Sequence, residues 1–193
     1  MQPLTQNTDI MNTMTPDNIT RMIDAMSVDE LRMRLAAYMM AEQQKALQPI
    51  AIEVRLSDTL NRGGRYDVFF VMENNEEVEV KFTDRYSRLI YIYTLLHPKG
   101  FQRRSLEANN YKQLCNLYRK LYFTSSEPLL KSIDRYGFDQ FFCQAVAQSR
   151  VAVRNAISAS DDVEIARPQR HNGKTIVTFA ANGGNVIMDN SLL

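Results

Sequence analysis

FDQFFCQAVAQSRVAVRNAI, residues 138–157, is the stretch around which the fold of this chain is organised. At about 100° per residue, its apolar and small side chains fall on one side of a helix, in a stripe wide enough to be buried. The stripe consists of Phe138, Phe141, Phe142, Ala145, Val146, Ser149, Ala152, Val153, Ala156 and Ile157. The spacing therefore predicts an amphipathic helix packed against a core.

The opposite side of this helix has an unusual composition. It carries Gln140, Cys143, Gln144, Ala147, Arg150, Val151 and Arg154, so its only charges are those of arginine. Glutamine can read adenine, arginine can read guanine or hold phosphate, and alanine can contact a thymine methyl group. Two interpretations stay open: a helix that reads a DNA groove, or a core helix whose outer face packs on a neighbour.

Composition limits the class of protein. The chain has 193 residues, of which 45% are hydrophobic and 23% charged, as in an ordinary globular domain. No apolar run approaches the roughly 18 residues of a membrane span, and the N-terminus lacks the pattern of a secretory signal. The two cysteines, Cys115 and Cys143, lie in predicted helices. Free thiols in a reducing compartment are therefore expected, and the cytoplasm is the predicted location.

Charge is distributed unevenly along the chain. Residues 1–80 hold seven Lys and Arg against thirteen Asp and Glu, whereas residues 81–193 hold sixteen against nine. A basic half is the electrostatic signature expected of a nucleic-acid-binding module. The acidic half indicates that the first part of the chain has a different role.

Three segments are predicted. Residues 1–14 form a disordered leader, and residues 15–48 form an N-terminal helical extension whose second helix begins with a Ser27–Glu30 capping box. The buried stripe of that helix is Leu31, Leu35, Tyr38 and Met39. We expect it to pack on the main domain or on a second copy of the chain, as in a homodimer, or on a protein partner. Residues 49–193 form the main domain.

In the main domain the apolar period changes from 3.6 to two at Ile50, which predicts strands. Residues 65–82 are predicted to form a hairpin with Asn74 and Asn75 as its two loop residues. That register places Val71 opposite Val78 and directs Asp67, Phe69 and Val71 toward the core. Three helices follow, the first capped by Thr83, the second by Ser105, and the third over 138–157. A strand at 163–166, an Asn172–Gly173 turn, and strands at 175–179 and 186–188 complete the domain.

This order of elements resembles that of winged-helix domains. In particular, EEVEVKFTDRYSRLIYIYTLLHPKG, residues 76–100, is similar to the point in response-regulator effector domains where an N-terminal sheet continues through a capping Thr into the first helix. The resemblance covers residues 50–188. It implies an α+β fold, a winged helix-turn-helix with a preceding antiparallel sheet and an N-terminal helical extension. It further implies a bacterial transcriptional regulator whose third helix enters the major groove of double-stranded DNA and whose hairpin, the wing, touches the backbone.

The resemblance assigns DNA-binding roles to ten residues. The third helix would contribute Gln140, Gln144, Ala147, Arg150 and Arg154, the wing RPQRHNGK would contribute Arg167, Arg170 and Lys174, and Arg103 and Arg104 would contact phosphates from the start of the second helix. For each basic turn taken singly, an ordinary solvated tip is an equally good interpretation. An alternative function is a protein–protein interaction module that has the winged-helix shape and does not bind DNA.

An enzymatic interpretation has one sequence feature in its favour. Asp67, followed by Glu79-Val80-Lys81, resembles the Mg²⁺-binding constellation of restriction-type nucleases. The predicted hairpin register places Asp67 on the face opposite Glu79 and Lys81, which argues against it. His97 and His171 have no second ligand at a suitable spacing. The sequence therefore predicts a protein that is not an enzyme and has neither a metal site nor a cofactor.

Overall fold

The computed structural model describes residues 26–46, 49–57, 66–157, 166–181 and 183–193. The chain divides into two units, Met1–Lys45 and Ala46–Leu193. Helices and strands are both present, so the predicted α+β class is correct. The predicted leader at 1–14 and the helix predicted to start at Thr15 lie outside the described residues.

One helix, α1 (Val28–Ala46), belongs to the N-terminal unit. Its first turn begins as predicted, because the backbone N–H of Glu30 donates to Ser27 Oγ at 3.2 Å. Of its predicted apolar stripe, Leu35, Tyr38 and Met39 are each more than half accessible in the single chain. The homodimer or partner contact expected of this helix stays a prediction.

As far as the structure describes it, the larger unit begins with three strands, continues with five helices and ends with three strands and one short helix. Their order is β1 (Pro49–Leu56), β2 (Tyr66–Met72), β3 (Glu77–Glu79), α2 (Arg85–Leu95), α3 (Arg103–Ala108), α4 (Lys112–Tyr122), α5 (Glu127–Tyr136), α6 (Phe138–Ile157), β4 (Pro168–His171), β5 (Lys174–Val177), α7 (Thr178–Ala181) and β6 (Asn185–Met188). Of the helices described, none is both long and apolar enough to cross a membrane.

The strands form two sheets. The larger has the order β3-β2-β1-β6, and β4 pairs with β5 in a separate antiparallel sheet. β1, β2 and β3 pair antiparallel as predicted, but β6 runs parallel to β1. The sheet that precedes the helices is therefore mixed, because the C-terminal strand returns to it. This pairing could not be anticipated from the short strand predicted at 186–188, since a local pattern does not specify which strand edge is joined.

The β2–β3 hairpin differs from its predicted register by one residue. Val71 pairs with Glu77 and Phe70 with Val78, and the loop contains three residues, of which Asn75 has φ +61°. A three-residue loop that ends in the left-handed region is a common hairpin geometry. Because side chains alternate with period two, the shift reverses the faces. Val68 and Phe70 are buried, whereas Asp67, Phe69 and Val71, predicted to face the core, lie on the other face.

Helix α2 lies in the centre of the core. Nine of its eleven residues, from Ser87 to Leu95, are buried, so the helix is enclosed on nearly all of its faces. Its N-cap is Asp84 rather than the predicted Thr83: the Asp84 carboxylate accepts the backbone N–H groups of Tyr86 and Ser87, each at 2.8 Å. The Thr83 hydroxyl donates instead to Gln148 Oε1, at 3.5 Å.

The segment between α2 and α6 contains more helices than predicted. The single helix expected after Ser105 is interrupted at Asn110 and Tyr111, which have φ values of +47° and +56°, and so becomes α3 and α4. Asparagine tolerates the left-handed region better than most residues, so the break begins at Asn110 at little steric cost. The residues just before α6, which belong to none of the three predicted helices, form α5, with Pro128 in its first turn.

Helix α6 and the hairpin after it agree closely with the sequence. α6 spans Phe138–Ile157 as predicted, and eight of the ten stripe residues are buried, Val146 and Ala156 being partly so. The β4–β5 hairpin turns at Asn172 and Gly173, whose φ values are +48° and +76°. β5 ends at Val177, where α7 replaces the rest of the predicted strand. Of the strand predicted at 163–166, only Ala166 is described, and it lies in a turn.

The two candidate caps of α2 give a matched test. Replacing Asp84 by Ala removes the acceptor of two backbone N–H groups and should lower the free energy of unfolding by about 1–2 kcal/mol. Replacing Thr83 by Ala should change it by less than about 0.5 kcal/mol, as for an ordinary surface site. Urea denaturation of the two variants measures both values, and equal losses would contradict the assignment of Asp84.

Candidate nucleic-acid interface

A groove of about 570 Å³ lies between α3, α6 and the β4–β5 hairpin. Its described lining consists of Gln102, Arg103, Arg104, Phe142, Cys143, Val146, Ala147, Arg150, Gln169, Arg170, Gly173 and Thr175. We call it the basic groove, because four of these side chains are arginines and none of the described lining residues is acidic. Phe142 and Val146 provide an apolar floor, and the arginines come from three different elements.

The hairpin is attached to the segment that leads into α3. Phe101 N donates to Thr175 O at 3.1 Å, and Thr175 N donates to Phe101 O at 2.8 Å. Gly100 has φ +72°, and a Cβ there would lie 3.0 Å from Thr175 O, so a larger residue would be strained and crowded. This bridge fixes the distance between the hairpin and the first turn of α3, and thereby the width of the basic groove.

Arg103 is linked to α6 at one end of the basic groove. Its Nη2 lies 3.0 Å from Asp139 Oδ2, and its Nη1 lies 3.8 Å from Cys143 Sγ. Asp139 and Cys143 are one helical turn apart and so share a face of α6. Cys143 is exposed whereas Cys115 is buried, and both are free thiols.

The other flank of α6 is different in character. A second groove, of about 740 Å³, lies between α6, α5 and the start of α2, and Gln140, Gln144 and Gln148 line it at intervals of four residues. Tyr86 is also part of its lining, and burial raises the pKa of the Tyr86 hydroxyl, which keeps it a neutral hydrogen-bonding group. α6 thus separates an arginine-lined flank from an amide-lined flank.

Two of the predicted arginines lie elsewhere. Arg154 and Arg167, together with Arg150 and Val151, line a small pocket of about 260 Å³. Arg167 was predicted to contact phosphate from the wing, but only 3% of it is exposed. It precedes β4 and its side chain is enclosed by the fold, so the wing-tip role assigned to Arg167 is corrected.

The remaining predicted residues are partly brought together. Arg103, Arg104, Ala147, Arg150 and Arg170 line the basic groove, Gln140 and Gln144 line the amide flank, and Lys174 is exposed at the hairpin tip. Sequence reasoning missed Gln102 and Gln169, amide side chains of the groove lining, and the contact of Asp139 with Arg103. The position of Gln169 in the groove follows only from the hairpin register. The contact between Asp139 and Arg103 joins residues 36 positions apart, so no local pattern indicates it.

The acidic strand residues were a second candidate site. The corrected register puts Asp67 and Glu79 on one sheet face, so the parity argument against a nuclease no longer holds. However, the carboxylate of Asp67 lies 3.4 Å from Arg88 Nη1, and Glu77 is held by Arg55 through a hydrogen bond that lowers the pKa of Glu77. In the part of the chain that the structure describes, no group of three His, Cys, Asp or Glu side chains is arranged to hold a metal ion. Asp67 and Glu79 therefore share a sheet face, as the nuclease hypothesis requires, but the described residues form no metal-binding cluster.

A search of protein-family models, curated proteins and solved structures found no match to this chain.

Arg167 and Arg170 are close in sequence and opposite in environment, which gives a direct test. Arg167→Ala should lower the free energy of unfolding by about 1–3 kcal/mol, because it removes a buried side chain together with its interactions. Arg170→Ala, at an exposed position, should change it by no more than about 0.5 kcal/mol. Chemical denaturation monitored by circular dichroism distinguishes them, and a loss at Arg170 as large as that at Arg167 would contradict the burial.

Proposed function

We propose that this chain is a non-enzymatic DNA-binding protein of winged-helix architecture, a regulator that contacts duplex DNA with α6 and the β4–β5 hairpin. Its two free thiols are in keeping with a reducing compartment such as the cytoplasm. The observation that carries the proposal is the basic groove, into which α3, α6 and β4 all contribute arginine.

The order of elements supports a winged-helix arrangement. A first helix, α2, is followed by the bridging residue Phe101, by further helices, by α6 and then by a hairpin that pairs back to Phe101. In winged-helix proteins, the helix before the hairpin enters the major groove and the hairpin touches the backbone. α5 would be an additional helix inserted before the recognition helix.

The dimensions and exposure of α6 suit a DNA groove. Its 20 residues make it about 30 Å long, and a helix of 10–12 Å diameter fits a major groove roughly 12 Å wide. Gln140, Gln144 and Ala147 are exposed on its outer surface. Gln140 and Gln144, on the amide flank, are suited to contact adenine, and Ala147, in the lining of the basic groove, is suited to contact a thymine methyl group, so we assign base reading to these side chains.

The arginines of the basic groove would contact phosphates. Contacts to phosphate fix the position of a protein on DNA and provide affinity that is independent of sequence. Arg104 on α3 and Arg170 on β4 are both exposed and lie on different elements around the groove. A DNA backbone that follows this groove would therefore place α6 beside it, with the amide flank toward the bases.

The alternative is an interaction module of the same shape that uses the outer face of α6 for a protein partner and does not bind DNA. Gln140, Gln144 and Ala147 are exposed, so this face is accessible to DNA and to protein alike. The arginine-lined groove beside α6 is the observation that favours DNA.

Salt dependence is the first test. Binding of the full chain to a random duplex, measured by fluorescence anisotropy, should weaken steeply with salt. Arg104→Ala and Arg170→Ala should each weaken binding about threefold to tenfold and reduce the slope of log K against log salt by about 0.9, the value for one lost phosphate contact.

Arg119 provides the matched control for these variants. It is an exposed arginine on α4 that is not part of the groove lining, so Arg119→Ala makes the same change in net charge away from the groove. We expect a small effect on affinity and an unchanged salt slope. Binding that is insensitive to salt, or an Arg119 effect equal to those of Arg104 and Arg170, would contradict the proposal.

Cys143 provides a second, independent test, because it is an exposed thiol in the groove lining. Saturating duplex should slow alkylation of Cys143 by N-ethylmaleimide several-fold, since a bound backbone would exclude the reagent. The buried Cys115 should stay unreactive with and without DNA, and Cys143→Ser should remove the fast reaction. An alkylation rate that DNA leaves unchanged would place the contact away from the basic groove.

A further inference from the structure

The ion pair between Arg103 and Asp139 lies at the end of the basic groove. Asp139 is the second residue of α6, and its Oδ2 is 3.0 Å from Arg103 Nη2. The side chain of Asp139 is 67% exposed and that of Arg103 is 36% exposed. An ion pair this accessible to water is weak, because solvent screens the attraction and ordering two flexible side chains opposes it.

We expect a DNA phosphate to compete effectively with Asp139 for the Arg103 guanidinium. Arginine offers a planar set of donors that can bind two phosphate oxygens at once, whereas Asp139 contacts Arg103 through a single short N···O distance in the free protein. The Asp139 carboxylate occupies one of these donors and also repels an approaching phosphate. Arg103 therefore has two possible anionic partners, which repel each other.

Other carboxylates lie in the same region. Burial raises the pKa of Tyr111, and the charges of Glu107, Asp134 and Asp139 raise it further. These three acids therefore lie around Tyr111, on α3, α5 and α6. Asp139 is the one among them that pairs with an arginine of the groove lining.

We propose that Asp139 competes with the DNA backbone for Arg103, so that binding exchanges the Arg103–Asp139 ion pair for an Arg103–phosphodiester contact. This inference rests on the proposed function. Asp139 thereby lowers the affinity for DNA of any sequence, because the exchange takes place whichever bases are present. Residence on a particular site then depends more strongly on the base contacts made from α6.

Asp139→Asn is the direct test, since it keeps the shape of the side chain and removes the charge. With a random duplex, we expect affinity to rise about threefold to tenfold at low salt, because the ion pair no longer has to be given up on binding. The slope of log K against log salt should change by much less than about 0.9, the value for one phosphate contact, because Arg103 contacts a phosphate in both proteins. Glu127→Gln is the matched control. Glu127 is an exposed acid on α5 that pairs with Lys131 at 2.6 Å and is not part of the groove lining. Its replacement should leave the affinity nearly unchanged.

The Arg103→Ala background separates competition from general repulsion. If Asp139 acts through Arg103, Asp139→Asn should produce little gain in affinity once Arg103 is absent. An equal gain in both backgrounds would overturn the proposal, and so would a loss of affinity in Asp139→Asn, which would make Asp139 a positioning residue for Arg103. Wild-type protein that fails to bind duplex would instead refute the proposed function itself, so the two failures are distinguishable.

Discussion

The burial of α2 on nearly all of its faces is the constraint on which the rest of the structure depends. Its polar side chains must find partners inside the protein, because an unpaired polar group in the core is strongly unfavourable. Arg88 Nη1 donates to Tyr66 O on β2 at 3.0 Å, and Tyr91 OH donates to Ala166 O, just before the hairpin, also at 3.0 Å. α6 and β5 pack against the same helix. α6 and the β4–β5 hairpin, two of the three elements that border the basic groove, are therefore both positioned by α2. The shape of the groove consequently depends on the packing of the core.

Local patterns predicted those elements whose signals are strong over a short stretch. The helical period of residues 138–157 predicted both the bounds and the buried face of α6, and Asn172–Gly173 predicted the hairpin turn, because positive φ at both positions is what such a turn requires. The β2–β3 register was wrong for an equally physical reason. VFFVM, residues 68–72, is apolar at every position, so it has no alternation to choose a face, and either Asn74–Asn75 or a three-residue loop ending at Asn75 can close the hairpin. The mixed sheet was missed because the pairing of β6 with β1 joins residues more than 130 positions apart.

For the candidate site as well, local features could be predicted from the sequence, whereas features that depend on tertiary packing could not. Arg104 and Arg170 were identified because they border turns, where charged side chains stay in solvent, and they do line one groove. Arg167 has the same charge and lies only three residues before Arg170, yet it is buried. Sequence gives the charge of a side chain but not the enclosure that tertiary packing imposes on it. The pairing of Arg103 with Asp139 could not be predicted either, because it depends on how α3 packs relative to α6.

The chemistry of the groove lining favours recognition of discrete anions over diffuse attraction to negative charge. All four cationic side chains described in the lining are arginines, although lysines are present elsewhere in the same half of the chain. A lysine ammonium acts as a hydrated point charge, whereas a guanidinium binds paired oxygens in a fixed geometry and is less strongly hydrated. Phosphodiesters present such oxygens at regular intervals along a strand. The arginine flank and the amide flank are two sides of the same rigid helix. A phosphate strand bound to the arginine flank would therefore fix the position of Gln140 and Gln144 relative to the bases. Affinity and sequence preference would then be set by different faces of α6, and each could change without altering the core beneath.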